Sequence, residues 1–237
     1  VHCAFVFDTD ILDALPTRRD RRVEFIHASL IELDAELAAL SASAGNTKSG
    51  VVVRHGSPPE CIPRLARELG VDTVFANRDY EPAAIARDRE VARRLKEIGV
   101  GFEDFKDQVI FDRDEVLNQA GRPFSVFTPY RNVWLKQLDD FQLTSYPIEK
   151  HAARLAPKPA GERMPTLADI GFEPTNLPEL KLPTGMSGGQ RLFEDFQARI
   201  DDYRRARDFP AAKGVSYLSA HLRFGTVSIR RLAREAN

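Results

Sequence analysis

The sequence predicts an α/β unit, a long connector and the opening of an all-helical unit. Three observations lead there. Apolar runs of strand length alternate with amphipathic helical stretches through residue 105; nine prolines then punctuate residues 111–188 with no long periodic segment; and helical periodicity returns at Leu192. Strand and helix in regular alternation build a parallel sheet wound by helices. The expected divisions are 1–110 for the α/β unit, 111–188 for the connector and 189–237 for the start of the helical unit.

VHCAFVFD at 1–8 is a short apolar run ending in Asp, as a buried parallel strand reads. Val23, Ile26, Leu30, Leu33, Leu37 and Leu40 then recur at steps of three and four, which lays one apolar stripe along a helix. Gly45 and Asn46 break it. GVVVRHG at 50–56 is a second strand, and Pro58, Ile62, Leu65, Ala66 and Leu69 make a second helix closed by Gly70. VDTVFAN at 71–77 is the third strand, Ile85, Val91, Leu95 and Ile98 carry the third helix to Gly99, and VGFEDF at 100–105 is the fourth strand. A ligand of such a sheet sits in the crevice beyond the carboxyl ends of its strands. The proline-punctuated stretch reads as a surface connector, flexible or docked, with a short helix around Arg131–Leu138. Leu192, Phe193, Phe196, Ile200 and Tyr203 form the next apolar stripe, Phe209-Pro210 ends that helix, and Ser228 caps a closing helix on Ile229, Leu232 and Ala233.

With 237 residues, 43% hydrophobic and 29% charged, the chain can bury a real core, which excludes a disordered tail, a collagen-like repeat and a small disulfide scaffold. No apolar run approaches the roughly 18 residues of a membrane helix. Cys3 and Cys61 lack CxxC or metal-ligand spacing; Cys3, in an apolar run, is expected as a buried free thiol, and the expected setting is the reducing cytoplasm. The first residues already read as a strand and the last stop partway along a helix, so the expectation is a fragment at both ends.

No GxGxxG or GxxxxGK[ST] occurs, which removes the common dinucleotide and P-loop signatures. Tyr203 and Arg207 are four apart and share a helix face. Gly214-Val215-Ser216-Tyr217-Leu218-Ser219 follows as a glycine-led turn with hydroxyls at 216 and 219. If hydroxyls and amides converge there, they make a neutral cradle for a phosphate or pyrophosphate; a plain surface turn is the rival reading. Residues 199–237 hold nine Lys/Arg against four Asp/Glu, a local excess of +5 in a chain of net charge −1. That asymmetry favours an anionic partner, against the alternative of a solvated basic helix face.

Four segments, in order, carry a family resemblance. FVFDTDIL at 5–12, FANRDYEPAAIARDREV at 75–91, VFTPYRNVWLKQL at 126–138 and RRARDFPAAKGVSYLSAHLRFGTVS at 204–228 resemble the DNA photolyase/cryptochrome family. Its members show RDxP…GTSxLSxxLxFGxxS at the entry to their flavin domain. The resemblance covers nearly the whole chain and implies a class I photolyase acting on cyclobutane pyrimidine dimers. It implies an α/β antenna domain with a Rossmann-like sheet, a linker and an all-helical FAD domain. Repair would proceed by light-driven electron transfer from reduced flavin to a dimer flipped out of damaged DNA. By residue match, Tyr203, Val215, Ser216, Tyr217, Leu218 and Ser219 would contact FAD, and Arg207 would face the DNA; the complete protein would be a monomer.

The sequence departs from the family pattern in three places. Val215 stands where members usually have Thr, which removes one hydroxyl from the cradle. The Asn-Glu pair that contacts the pterin in folate-antenna members falls on Ala83 and Ala84, which argues against a methenyltetrahydrofolate antenna and leaves a deazaflavin, or none, open. The family's first strand, with WFRxDLR, and about the last 200 residues have no counterpart here. The first of these would be central in a 3-2-1-4-5 sheet, so a gap or exposed edge is expected in the core, and the fragment alone is expected to be inactive. Two further readings stay open: a cryptochrome-type photoreceptor, and a stand-alone α/β nucleotide-binding module in which Tyr203 and Ser216 line no cavity.

The remaining chemistry-bearing residues have plainer readings. Trp134 is expected to pack rather than relay electrons. His2, His27, His55, His151 and His221 share no metal spacing, though His55 follows a strand end. Tyr80-Glu81 lies at the crevice, with Glu81 suited to begin a helix, and Arg87-Asp88 reads as a local ion pair. Asp8, Asp10 and Asp13 lack the glycine turn and distal Glu of a calcium loop.

Overall fold

Four strands form where the apolar runs place them, but they pair two by two. The computed structural model describes residues 1–46 and 48–236. β1 (Cys3–Asp8), α1 (Thr9–Leu12), α2 (Arg21–Ser43), β2 (Val51–Gly56), α3 (Pro58–Leu69), β3 (Thr73–Asn77), α4 (Pro82–Glu97) and β4 (Gly101–Phe105) follow in order. β1 lies parallel to β2, from Cys3 opposite Val51 to Asp8 opposite Gly56. β3 lies parallel to β4, from Thr73 opposite Gly101 to Asn77 opposite Phe105. Among the described residues no ladder joins β1 to β3, so the expected break in the middle of the sheet is present.

Two apolar clusters follow from this division. Phe7, Val23, Leu30, Leu37, Val51 and Val53 pack around the first strand pair, together with Ile170 and Phe172 from the connector. Ala66, Val91 and Leu95 pack against the second pair with Ile62, Val74 and Phe102. α2 starts where Asp20 accepts the Arg22 N–H at 2.8 Å. α3 stops at Gly70, whose φ of +62° is left-handed and suits glycine. The short α1 has no periodic signal; it forms because the Asp8 carboxylate accepts the Asp10 N–H at 2.9 Å and turns the chain at once. Cys61 is buried as a free thiol, but Cys3, expected buried, is only half-buried, because β1 has a strand neighbour on one side alone.

The connector is docked. α5 (Phe127–Gln137) begins four residues before the helix expected there, and α6 (Asp140–Leu143) follows. Val116, Leu143, Ala152, Ile170, Phe172 and Leu177 are buried. The Thr175 N–H donates to Glu24 at 2.9 Å, and Lys158 pairs with Asp34 at 2.8 Å, both on α2. Trp134 packs edge-on against Phe111 with ring centres 5.5 Å apart, in line with its packing role.

α7 (Gly185–Gln197), α8 (Tyr203–Ala206), α9 (Ser219–Arg223) and α10 (Ile229–Ala236) complete the chain. The stripe from Leu192 to Tyr203 is not one helix: α7 ends at Gln197 and Ile200–Asp202 form a 3-10 turn. The break falls at Arg199, whose φ of −137° leaves the helix. α7 is seated on α2 through the Ser187 N–H, which donates to Glu32 at 2.7 Å. His221 on α9 is fully buried, bonded to Thr226 at 2.7 Å and edge-on to Phe25 of α2. Ser228 caps α10, accepting the Arg231 N–H at 3.3 Å. No helix among the described residues is long and apolar enough to cross a membrane.

Candidate functional site

α8 and the turn that follows it are held together from below by the end of α7. Tyr203 opens α8, 39% exposed as a residue, with its ring set edge-on against Phe196, centres 5.8 Å apart. Arg207, one turn on, holds its guanidinium 5.7 Å from the Tyr203 ring centre, so the two share the face that their spacing predicts. Arg207 is exposed, with Asp208 3.6 Å away as its only carboxylate partner among the described residues.

The Gly214–Ser219 turn is pressed against α8. A Cβ at Gly214 would stand 2.4 Å from the Ala206 carbonyl oxygen. Arg199 donates to the carbonyls of Lys213 and Val215, the latter at 2.9 Å, and pairs with Asp195 at 2.9 Å. Lys213 also reaches Asp195, at 2.6 Å. Lys213, and then Arg199, hold the Asp195 carboxyl below the usual range. Tyr217 takes a left-handed φ of +56°, and Leu218 follows at φ −85° and ψ 0°. Such alternation turns successive amides toward one side. The main-chain N–H groups of Ser216 and Tyr217 have no partner among the described residues. The Leu218 N–H reaches Ser216 Oγ at 3.4 Å.

Each residue expected here has a definite place. Val215 and Tyr217 are exposed, Ser216 is half-buried and Ser219 is exposed at the head of α9. Leu218 is buried, so only its main chain is offered outward. Arg199, which fixes the turn, was not singled out by the sequence reading; its one signal is the four-residue spacing from Asp195. The basic excess of the last forty residues is largely compensated: Arg205, Lys213, Arg223, Arg230 and Arg231 all meet carboxylates.

Elsewhere the candidates resolve into structural roles. Ala83 is exposed and Ala84 buried in the first turn of α4. Glu81 precedes α4 without capping it and instead pairs with Arg223 of α9 at 2.9 Å. Arg87 binds Asp88 at 2.8 Å, the local pair expected. The Tyr80 hydroxyl is buried without a hydrogen bond; burial first, and the Asp112 carboxylate second, push its pKa up to about 12. Asp8 caps α1, Asp10 accepts the Ser57 hydroxyl at 2.9 Å and Asp13 meets Arg18 at 3.3 Å. Among the described residues no group of three His, Cys, Asp or Glu is placed to hold a metal. His55 is exposed.

Known proteins align with this chain. The family model for DNA photolyase matches residues 1–154. A deoxyribodipyrimidine photo-lyase of Halobacterium salinarum is 34% identical over all of this chain, which covers 47% of that protein. Cryptochrome-1 of Arabidopsis thaliana is 25% identical over 86% of this chain, which covers 29% of that protein. The crystal structure of a bacterial class III photolyase from Agrobacterium tumefaciens shares the fold, with a TM-score of 0.76 at 23% identity over 99% of this chain and 46% of its own. The chain spans about half the length of the photo-lyase relatives it matches. The family model over the first 154 residues and the Halobacterium match over the entire length agree: the chain belongs to the DNA photolyase family.

Proposed function

We propose that the complete protein is a deoxyribodipyrimidine photolyase, repairing cyclobutane pyrimidine dimers under blue light with FAD, and that this chain supplies part of its flavin site. Residues 1–110 then form the antenna unit, 111–188 the connector and 189–237 the beginning of the FAD domain. The observation that carries the reading is the Gly214–Ser219 turn beside an exposed Tyr203, with Ser216 and Tyr217 amides that have no partner among the described residues.

These residues fit the group. The Ser216 and Tyr217 amides, with the Ser216 and Ser219 hydroxyls, present donors and no carboxylate, which suits a pyrophosphate. With Val215 in place of a hydroxyl residue, main-chain amides serve at that position. Tyr203 offers a ring face and edge to an aromatic cofactor, while Arg207 extends toward DNA phosphate, where a permanently charged guanidinium gives contact without sequence preference. Bound FAD supplies the photoexcited electron donor; the protein holds and shields it. Ala83 and Ala84 offer no side-chain hydrogen bond to a pterin, which argues against a folate antenna and leaves a deazaflavin, or none, open. Free Cys3 and Cys61 suit a reducing cytoplasm.

The test is repair of ultraviolet-irradiated DNA by the full-length protein, in blue light and in darkness. Light-dependent loss of dimers is expected; equal repair in darkness, or none in light, refutes the photolyase reading. The match to Arabidopsis cryptochrome-1 favours one alternative, a flavoprotein photoreceptor; flavin binding with no repair in light is its result.

A further inference from the structure

We propose that Arg199 is a positioning residue that presets the main-chain cradle for the flavin pyrophosphate. The inference rests on the flavin reading above and adds a residue to it. Arg199 grips the turn at the Val215 carbonyl, opposite to the Ser216 N–H of the same peptide. Its guanidinium donates to the Lys213 and Val215 carbonyls while its other edge is held by Asp195 at 2.9 and 3.1 Å. Every peptide bond in the described chain is trans, so a carbonyl and the following N–H point in opposite directions. Drawing the Val215 carbonyl toward Arg199 therefore turns the Ser216 N–H away from it, onto the open face. Drawing the Lys213 carbonyl the same way turns the Gly214 N–H aside, where the Ala212 carbonyl takes it at 2.8 Å. The left-handed Tyr217, followed by Leu218 near the helical region, gathers the succeeding amides toward one side.

The charge on Arg199 is matched by Asp195, and the guanidinium also lies 5.6 Å from the Phe196 ring centre, the ring that supports Tyr203. Arg199 thus touches both halves of the site, the aromatic platform and the amide turn, with four of its five N–H donors engaged by the protein. It acts on a phosphate through the backbone it holds. Fixing those amides before the ligand arrives removes an ordering cost from binding. Lysine carries one ammonium in place of the planar fork and cannot span two carbonyls and a carboxylate with the same geometry.

The experiment compares Arg199→Met, Arg199→Lys and Arg204→Met in the full-length protein; Arg204 is an exposed α8 residue with no ion pair among the described residues. Three quantities are read: FAD affinity, the melting curve of the flavin-free protein and the phosphorus resonances of bound FAD. Arg199→Met is expected to weaken FAD binding by about tenfold and to move the bound pyrophosphate resonances toward those of free FAD, with flavin-free melting still cooperative. Arg199→Lys should recover part of the affinity, and Arg204→Met should bind like the unaltered protein. FAD affinity in Arg199→Met equal to that in Arg204→Met overturns the proposal. So does loss of the flavin-free fold in both Arg199 variants, which would make the residue purely structural. Failure of the unaltered full-length protein to bind FAD overturns the flavin reading itself, and this assignment with it.

Discussion

Replacing Gly214 with alanine tests whether the turn's closeness to α8 is a requirement or an accident. The new Cβ would lie 2.4 Å from the carbonyl oxygen of Ala206, 2.5 Å from its carbonyl carbon and 2.9 Å from its Cβ. These are backbone atoms and a short side chain, so nothing can rotate out of the way; either α8 or the turn must move. Forcing one methyl into a packed site costs about 1–3 kcal/mol, and two backbone overlaps place Gly214→Ala toward the top of that range, about 2–3 kcal/mol. Gly225 is the matched control, because its φ of +69° strains an alanine while the space around it is open. Gly225→Ala should cost only about 1 kcal/mol, the lower end of what a left-handed backbone costs a residue with a Cβ. Urea denaturation of the two variants gives the difference from their midpoints at a common slope. Displacing the turn also lengthens its reach to Arg199, so FAD affinity should fall in Gly214→Ala and not in Gly225→Ala. Equal stability of the two variants, with equal FAD affinity, would refute the reasoning.

Three further outcomes are expected. Leu95 of α4, fully buried against α3 and the second strand pair, should cost about 2–5 kcal/mol as Leu95→Ala, measured by denaturant titration. The fold holds Tyr80 as the neutral phenol, so its contribution to stability is complete below about pH 10, the ordinary value, and fades as pH rises through about 12. Stability measured across that window should lose this component in Tyr80→Phe, which at neutral pH should change stability by less than about 1 kcal/mol because the hydroxyl has no partner to lose. Arg207→Met in the full-length protein should weaken DNA binding similarly for every sequence and lower the salt dependence by about one ion, seen in titrations at several salt concentrations.

The α/β portion was legible because its signals are local and redundant. Val23 to Leu40 repeat at helical spacing, Gly70 supplies the left-handed stop, and Val51–Val53 are apolar on both faces, so periodicity and punctuation agree. What escaped has no period. α1 forms on a single Asp8 cap, and the docking of the connector depends on contacts such as Thr175 with Glu24, 151 residues apart. At the candidate site, Tyr203 and Arg207 were found as a helical pair because four-residue spacing is a local rule. The extended stripe through Tyr203 misled, since apolar spacing continues across the break at Arg199, whose φ of −137° leaves the helix. A side chain that works on distant backbone leaves almost no trace in sequence.

The position of the cofactor's phosphates in a crystal structure of the full-length, flavin-loaded protein is the most direct measurement. Pyrophosphate oxygens should lie within about 3.2 Å of the Ser216 amide and a Ser216 or Ser219 hydroxyl, with Arg199 still on the Lys213 and Val215 carbonyls. Phosphates bound away from the 214–219 turn, with Tyr203 closed in by aliphatic side chains, would contradict it.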